Sequence, residues 1–175
     1  MTIEERIQQT IRNIPDFPKE GIQFKDITPI LQNPSLSQDI VDEFVNRLDG
    51  KVDAIAGIES RGFLFGFTLA MQLGVPFILI RKKGKLPYET ISHKYDLEYG
   101  TAEIEMHTDC VNEGMRIHIH DDLLATGGTA IAASELIKKQ GGEIAGYSFL
   151  VELEFLNGAN KLKPYSNHIE SLVKY

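Results

Sequence analysis

The run His120-Asp121-Asp122-Leu123-Leu124-Ala125-Thr126-Gly127-Gly128-Thr129 concentrates two kinds of chemistry in one place. Glycines and small hydroxylated residues leading into a helix leave backbone N–H groups free to surround a phosphate, and the helix dipole favours its charge. Two adjacent carboxylates at the carboxyl end of a strand lie where open α/β sheets bind ligands, and they can accept hydrogen bonds from vicinal hydroxyls. A ribose phosphate satisfies both halves of the motif. The run lacks the Lys before Thr of the Walker pattern and the Gly-x-Gly-x-x-Gly of the dinucleotide fingerprint. A bare Thr-Gly-Gly-Thr is also compatible with a glycine-rich turn carrying an acidic cap. The paired acids ahead of Gly127 weigh against that.

The elements that must position these residues follow from hydrophobic pattern. An apolar strand at 54–58, a helix at 62–73 ended by Gly74, and a strand at 77–80 form one β-α-β alternation. A strand at 117–120, a loop at 121–129, a helix at 130–140, the turn Gly141-Gly142 and a strand at 146–151 form another. The predicted class is α/β, a mostly parallel sheet flanked by helices with a Rossmann-like core. Between the two units, residues 81–99 are polar and read as a hairpin or lid. Residues 102–107 then alternate, with Glu103, Glu105 and His107 on a wet face. Thr2 and Glu5 form a capping box for an N-terminal helix carrying Ile3, Ile7 and Ile11, closed by Pro15. Residues 15–34 hold several prolines yet are too apolar for a free linker, so an ordered loop is expected. A second amphipathic helix carries Ile40, Val41, Phe44, Val45 and Leu48, with Ser37 and Asp39 at its start. The expectation is a single domain over 1–175, with an N-terminal hood at 1–34 and a lid hairpin at 81–107.

Composition narrows the function classes. With 175 residues and 42% hydrophobic content the chain can bury a real core. Its net charge of -7 argues against a broad footprint for nucleic acid or an anionic membrane, so any anion site must be local. The one cysteine, Cys110, and the absence of a basic, apolar leader predict a reducing compartment, the cytoplasm. The apolar stretch 63–80 is broken by Gly66, Gln72, Gly74 and Pro76, so it reads as a buried helix and a strand, with no membrane span.

An apolar strand, two acids, two apolar residues and a small-Thr-Gly-Gly-Thr loop together resemble the signature of the phosphoribosyltransferases. The resemblance implies a phosphoribosyltransferase-like fold in which Asp121 and Asp122 hold ribose hydroxyls. It also implies that Ala125, Thr126, Gly127, Gly128 and Thr129 bind the 5-phosphate, and that Mg2+ bridges pyrophosphate and ribose oxygens, held mostly by water and substrate with no dedicated protein ligands. Further segments are similar to the adenine-using members of that family. Pro15-Asp16-Phe17-Pro18 and Gly21 to Pro29 resemble a base-binding hood, implying that Gln23, Phe24 and Lys25 contact substrate and that Phe24 stacks on adenine, with Leu153 on its other face. Gly57 to Phe63 resembles the pyrophosphate loop, which assigns Ser60 and Arg61 to the leaving group. Arg81-Lys82-Lys83-Gly84-Lys85 resembles a segment reaching pyrophosphate, which adds Arg81, Lys82 and Lys85, although a basic run of this kind also reads as a solvated turn. Tyr95 to Gly100 resembles the catalytic flexible loop, making Glu98 the acid/base group and Tyr99 a lid residue. The implied reaction joins adenine to phosphoribosyl pyrophosphate, and the implied assembly is a homodimer, with neither nucleic acid nor membrane as partner.

Two readings compete with this one. Another purine, such as xanthine, could be the base, because the ribose-phosphate motif does not specify it. A regulator that senses phosphoribosyl pyrophosphate while binding nucleic acid is the other, and the acidity disfavours it. His118 and His120 depart from the aliphatic residues usual in this strand. They share one face and read as core histidines, since no third ligand stands at zinc spacing, with His120 expected to bear on Asp121.

Overall fold

The computed structural model describes residues 1–48, 50–97 and 99–175. The chain divides into two compact units, Met1–Asn46 and Arg47–Tyr175, each described in its own terms.

In the first unit, α1 (Ile3–Thr10) opens with the expected capping box, Glu5 N donating to Thr2 Oγ1 at 3.2 Å and Thr2 N to Glu5 Oε2 at 2.8 Å. It stops at Thr10, earlier than Pro15 suggested, because Arg12–Pro15 instead form strand β1, paired antiparallel with β2 (Gln23–Asp26). The segment at 15–34 is thus a hairpin followed by the single-turn α2 (Thr28–Leu31). The helix α3 (Pro34–Arg47) begins before Ser37, because proline fits the first turn, where its missing N–H is not needed.

The second unit is built on one seven-stranded sheet among the described residues. Its strands are β3 (Ala54–Ile58), β4 (Phe77–Lys82), β5 (Thr90–Asp96), β6 (Thr101–His107), β7 (Arg116–Leu124), β8 (Glu143–Glu152) and β9 (Ile169–Lys174), in spatial order β5-β6-β4-β3-β7-β8-β9. Strands β4, β3, β7, β8 and β9 are parallel, while β5 and β6 form an antiparallel hairpin added to the β4 edge. The sheet is therefore mostly parallel and flanked by α4 (Gly62–Leu73) and α5 (Gly128–Lys139), as the α/β alternation predicted. A short helix α6 (Gly158–Leu162) precedes β9.

Burial follows the layers. Ile117 and Ile119 are fully buried with Ala132, Ala133, Leu136 and Ile137 in the core that includes α5. The opposite face of β7 carries His118 and His120, also buried. The helix α4 buries Phe65, Gly66, Leu69 and Ala70 but leaves Leu64, Phe67 and Met71 exposed, a correction to its reading as a fully buried helix. A helix lying on a sheet buries one stripe, and α4 is apolar on both. Among the described residues no helix is long and apolar enough to cross a membrane.

Candidate active site

Strands β3 and β7 are parallel neighbours, so their carboxyl ends open on the same edge of the sheet. Glu59, Ser60 and Arg61 leave β3 there, and the Glu59–Ser60 peptide is cis. The strand β7 does not stop at His120. Asp121 pairs with Phe149 and Leu123 with Val151, so both acids are strand residues, not loop residues. Alternation then sends their side chains to opposite faces. Both line a cleft of about 410 Å³ together with Ile58, Glu59, Ser60, Arg61, Lys82, Tyr95 and Thr129.

The electrostatics of the acids differ. Asp122, buried, meets Arg61 at 2.5 Å (Nε to Oδ2). Asp121 accepts the Asp122 backbone N–H at 2.8 Å. Burial, then the adjacent Asp122 charge and hydrogen bond, hold the Asp121 carboxyl well above the usual range, against the weaker pull of that N–H and of Arg61. Gly62 is required beside them, because a Cβ there would stand 2.9 Å from Asp121 Oδ1 and 3.0 Å from the His120 carbonyl oxygen.

Next to the acids, the chain turns into α5 through Gly127, whose φ of 86° suits glycine. No side chain caps this helix, so its first-turn N–H groups face a smaller recess of about 90 Å³ lined by residues 123–130 with Asp121 and Phe149. The helix starts at Gly128, before Ala130, so Gly128 and Thr129 belong to its first turn. Gly158 backs the loop so closely that a Cβ on it would collide with the Ala125 carbonyl oxygen. Thr129 Oγ1 is hydrogen-bonded to the Tyr95 hydroxyl at 3.1 Å.

The basic turn after β4 is tied down by acids. Arg81 Nε donates to Glu59 Oε2 at 2.6 Å and Lys82 N to Glu59 Oε1 at 3.2 Å. Glu105 accepts Lys85 N at 3.0 Å, Leu86 N at 2.9 Å and the Thr90 hydroxyl at 3.1 Å. Burial works to raise the Glu105 pKa, but these hydrogen bonds, led by Leu86 N, prevail and lower it. Glu105 is therefore buried, a correction to the wet face assigned to β6, because its carboxylate is the internal anchor of the turn.

The sequence profile described as Phosphoribosyl transferase domain matches residues 26–171. The chain belongs to that family. It is 58% identical over 174 residues to the adenine phosphoribosyltransferase of Cytophaga hutchinsonii, covering 99% of this chain and 96% of that one. The crystal structure of adenine phosphoribosyltransferase from Thermoanaerobacter pseudethanolicus superposes with a TM-score of 0.94 at 51% identity, covering 99% of this chain and 100% of the other. The Saccharomyces cerevisiae enzyme, complexed with an imino-altritol bisphosphate and adenine, gives a TM-score of 0.91 at 40% identity, covering 97% and 98%.

Within this phosphoribosyl transferase domain, the cleft gathers Asp121, Asp122, Thr129, Ser60, Arg61 and Lys82, with Ala125 to Gly128 lining the recess beside it. Arg81 and Lys85 are not among its lining residues; the Arg81 guanidinium donates to Glu59 and to the Lys85 carbonyl, and the Lys85 N–H is held by Glu105. Tyr99 is 80% exposed, and Glu98 lies outside the described residues. Leu153 is half-buried, its N–H bonded to the Leu124 carbonyl at 2.9 Å. Gln23, Phe24 and Lys25 lie on β2 of the first unit, where the rings of Phe24 and Phe17 meet edge to face at 5.1 Å and Lys25 Nζ donates to Asn13 at 2.6 Å.

His120 faces Asp122, not Asp121, because residues two apart on a strand share a face; Asp122 charge acts on it, while burial, the larger effect, lowers its pKa to about 4. Glu59, Glu105, Tyr95 and Gly158 are site residues that sequence reasoning missed. Glu59 and Tyr95 carried a signal, their places inside the Gly57 to Phe63 and Tyr95 to Gly100 segments. Among the described residues no group of three or more His, Cys, Asp or Glu could hold a metal ion.

Proposed function

We propose that this protein transfers the 5-phosphoribosyl group of phosphoribosyl pyrophosphate to adenine, giving AMP and pyrophosphate. The observation that supports it most is that the cleft lined by Asp121 and Asp122 adjoins a glycine-led recess, with Asp121 and Thr129 lining both, in a chain 58% identical to an adenine phosphoribosyltransferase. Ribose hydroxyls fall to the two acids, the 5-phosphate to the first-turn amides and hydroxyls of residues 125–129, and the pyrophosphate to Ser60, Arg61 and Lys82. Phe24 and, separately, Leu153 are assigned to the adenine ring, with Gln23 and Lys25 beside it. Arg81 and Lys85 act through the turn that presents Lys82, and Tyr99 through the lid.

The reaction needs no protein nucleophile. Fixing the two reactants in line removes the entropy of their encounter, and oriented charge stabilises the cationic sugar and the departing anion. Glu98 is proposed as the base that accepts the proton from the adenine imidazole ring. The β5-β6 hairpin shields the cleft from water, which would otherwise capture the ribosyl cation.

The donors present fit Mg2+, because Asp121, Asp122 and Glu59 offer hard oxygens but do not converge as a cage. Asp121 and Asp122 would hold the ion through water alongside substrate oxygens. When bound it would neutralise charge on pyrophosphate. The exposed apolar face of Leu64, Phe67 and Leu79 supports a homodimer. A single cysteine without a disulfide partner supports a cytoplasmic location.

The test is to incubate the protein with magnesium, phosphoribosyl pyrophosphate and each of adenine, hypoxanthine, guanine and xanthine, and to measure nucleotide formed. Adenine should have the highest specificity constant. A higher value for xanthine or guanine, or no nucleotide from any base, would overturn the assignment.

A further inference from the structure

We propose that Tyr95 is a positioning residue that commits the Thr129 hydroxyl to donating its proton to the 5-phosphate. The inference rests on the proposed assignment of residues 125–129 to that phosphate.

Tyr95 belongs to β5, one strand of the hairpin at the sheet edge, whereas Thr129 belongs to the first turn of α5. Their side chains nevertheless meet, the phenol oxygen 3.1 Å from Thr129 Oγ1, and both residues line the cleft. A Cβ on Gly128 would be 3.9 Å from the Tyr95 ring, so the ring lies against the start of the helix and is held by packing as well as by its hydroxyl.

A threonine hydroxyl has one proton and two lone pairs, whereas phosphate oxygens at neutral pH chiefly accept. In the protein without substrate, either oxygen of the Tyr95–Thr129 pair can be the donor. Half of the possible arrangements therefore spend the Thr129 proton on Tyr95. Once a phosphate occupies the recess, only one arrangement satisfies all three groups. Tyr95 donates to Thr129, and Thr129 donates to the phosphate. Each bond polarises the next, and the last is charge-assisted. Phenylalanine at 95 would keep the ring packing but leave the Thr129 lone pair without its donor.

The predicted consequence is selective. Ligands that carry the 5-phosphate should bind Tyr95→Phe more weakly, and pyrophosphate alone should not. The net value of one hydrogen bond corresponds to about a 3- to 10-fold rise in KM for phosphoribosyl pyrophosphate and in Kd for AMP, with kcat changing by less than about twofold.

The experiment measures KM and kcat for phosphoribosyl pyrophosphate, Kd for AMP, and KM for pyrophosphate in the reverse reaction. It does so for the wild type, Tyr95→Phe, Thr129→Ala and the double variant. Support is a selective loss in Tyr95→Phe together with a double variant no weaker than Thr129→Ala, since Tyr95 then acts only through that hydroxyl. If Thr129→Ala weakens AMP while Tyr95→Phe binds it like the wild type, the positioning role is overturned and the phosphate assignment stands. If Thr129→Ala also binds AMP normally, the Thr129 hydroxyl does not serve the phosphate and the inference is overturned, while the backbone amides of residues 125–129 keep their assignment. An equal loss for pyrophosphate in Tyr95→Phe would overturn it too, by exposing a general disturbance of the cleft.

Discussion

Replacing His118 by isoleucine should make this protein more stable, and increasingly so as the medium is acidified. Among the described residues neither ring nitrogen of His118 has a hydrogen-bond partner, and the side chain is 1% exposed. Burial first, then the neighbouring His120 and His168, lower its pKa from 6.5 to about 3. The sign follows from proton binding. The unfolded chain takes up a proton on His118 below 6.5 and the folded chain does not until about 3, so the stability present above 6.5 is lost as pH falls between those values. A unit of pKa shift is worth roughly 1.4 kcal/mol, which gives a loss of about 2 kcal/mol from this residue by pH 5. Isoleucine removes that linkage. It also removes buried unbonded nitrogens, which cost about 1–3 kcal/mol each, against a packing mismatch of less than about 1.5 kcal/mol. The variant should gain roughly 1 kcal/mol at about pH 8 and roughly 3 kcal/mol at about pH 5, or about 2–4 °C of Tm per kcal/mol. The protein has no tryptophan, so urea unfolding followed by far-ultraviolet circular dichroism is the suitable assay. Asp121, whose raised pKa acts with the opposite sign, is common to both proteins and cancels in the difference. Parallel pH curves for the two proteins, or a variant less stable at both ends, would refute the reasoning.

Asp121→Asn should raise KM for phosphoribosyl pyrophosphate by about 10-fold or more, the value of a hydrogen bond to a charged group. It should also raise Tm at pH 8: a carboxyl whose folded pKa is raised favours folding fully below 3.8 and loses that contribution once pH exceeds its folded value, so a melt unchanged or lowered at pH 8 would count against the shift. Gly158→Ala should lower stability by about 1–3 kcal/mol and weaken AMP binding in calorimetry, because its methyl group displaces the loop at Ala125. Glu98→Gln should slow single-turnover AMP formation by about 100- to 10,000-fold with little change in sugar affinity, and wild-type rates in rapid quench would remove Glu98 from the chemistry. Phe67→Glu, in the exposed apolar face, should convert a dimer to monomer in sedimentation velocity while leaving the monomer's circular dichroism intact.

The parallel half of the fold is legible in the sequence because a strand covered on both faces must be apolar throughout, as 54–58 is, and because Gly74 supplies the left-handed residue that ends α4. The hairpin strands β1 and β2 are not, since four residues rich in Arg, Asn, Gln and Lys give no period to read. Nor is β9, where Ile169 to Lys174 mixes polar and apolar residues without alternation. At the site, the acids and the glycine loop are legible because their chemistry is local. Tyr95 and Glu105 are not. Each acts on a residue far along the chain, Tyr95 on Thr129 and Glu105 on Lys85, and only the sheet order brings these pairs together.

The same distant pairings bear on how an acidic protein binds a polyanion. The guanidinium groups near the proposed pyrophosphate position already have partners, Arg61 with Asp122 and Arg81 with Glu59. The acids are the more buried members, with side chains 9% and 11% exposed against 48% and 34% for the arginines. Taking a cation away from a buried carboxylate is strongly unfavourable unless something replaces it. Pyrophosphate alone offers Arg61 a better anion but leaves Asp122 with nothing. Ribose alone offers Asp122 hydroxyls but gives Arg61 no reason to leave. Phosphoribosyl pyrophosphate carries both groups on one carbon skeleton and can satisfy both sides of the Arg61–Asp122 pair at once. On the proposed assignment of pyrophosphate to Arg61 and ribose to Asp122, the ion pair should favour the intact donor over either fragment. Wild-type protein should therefore bind phosphoribosyl pyrophosphate more tightly than the product of its separate affinities for pyrophosphate and ribose 5-phosphate accounts for.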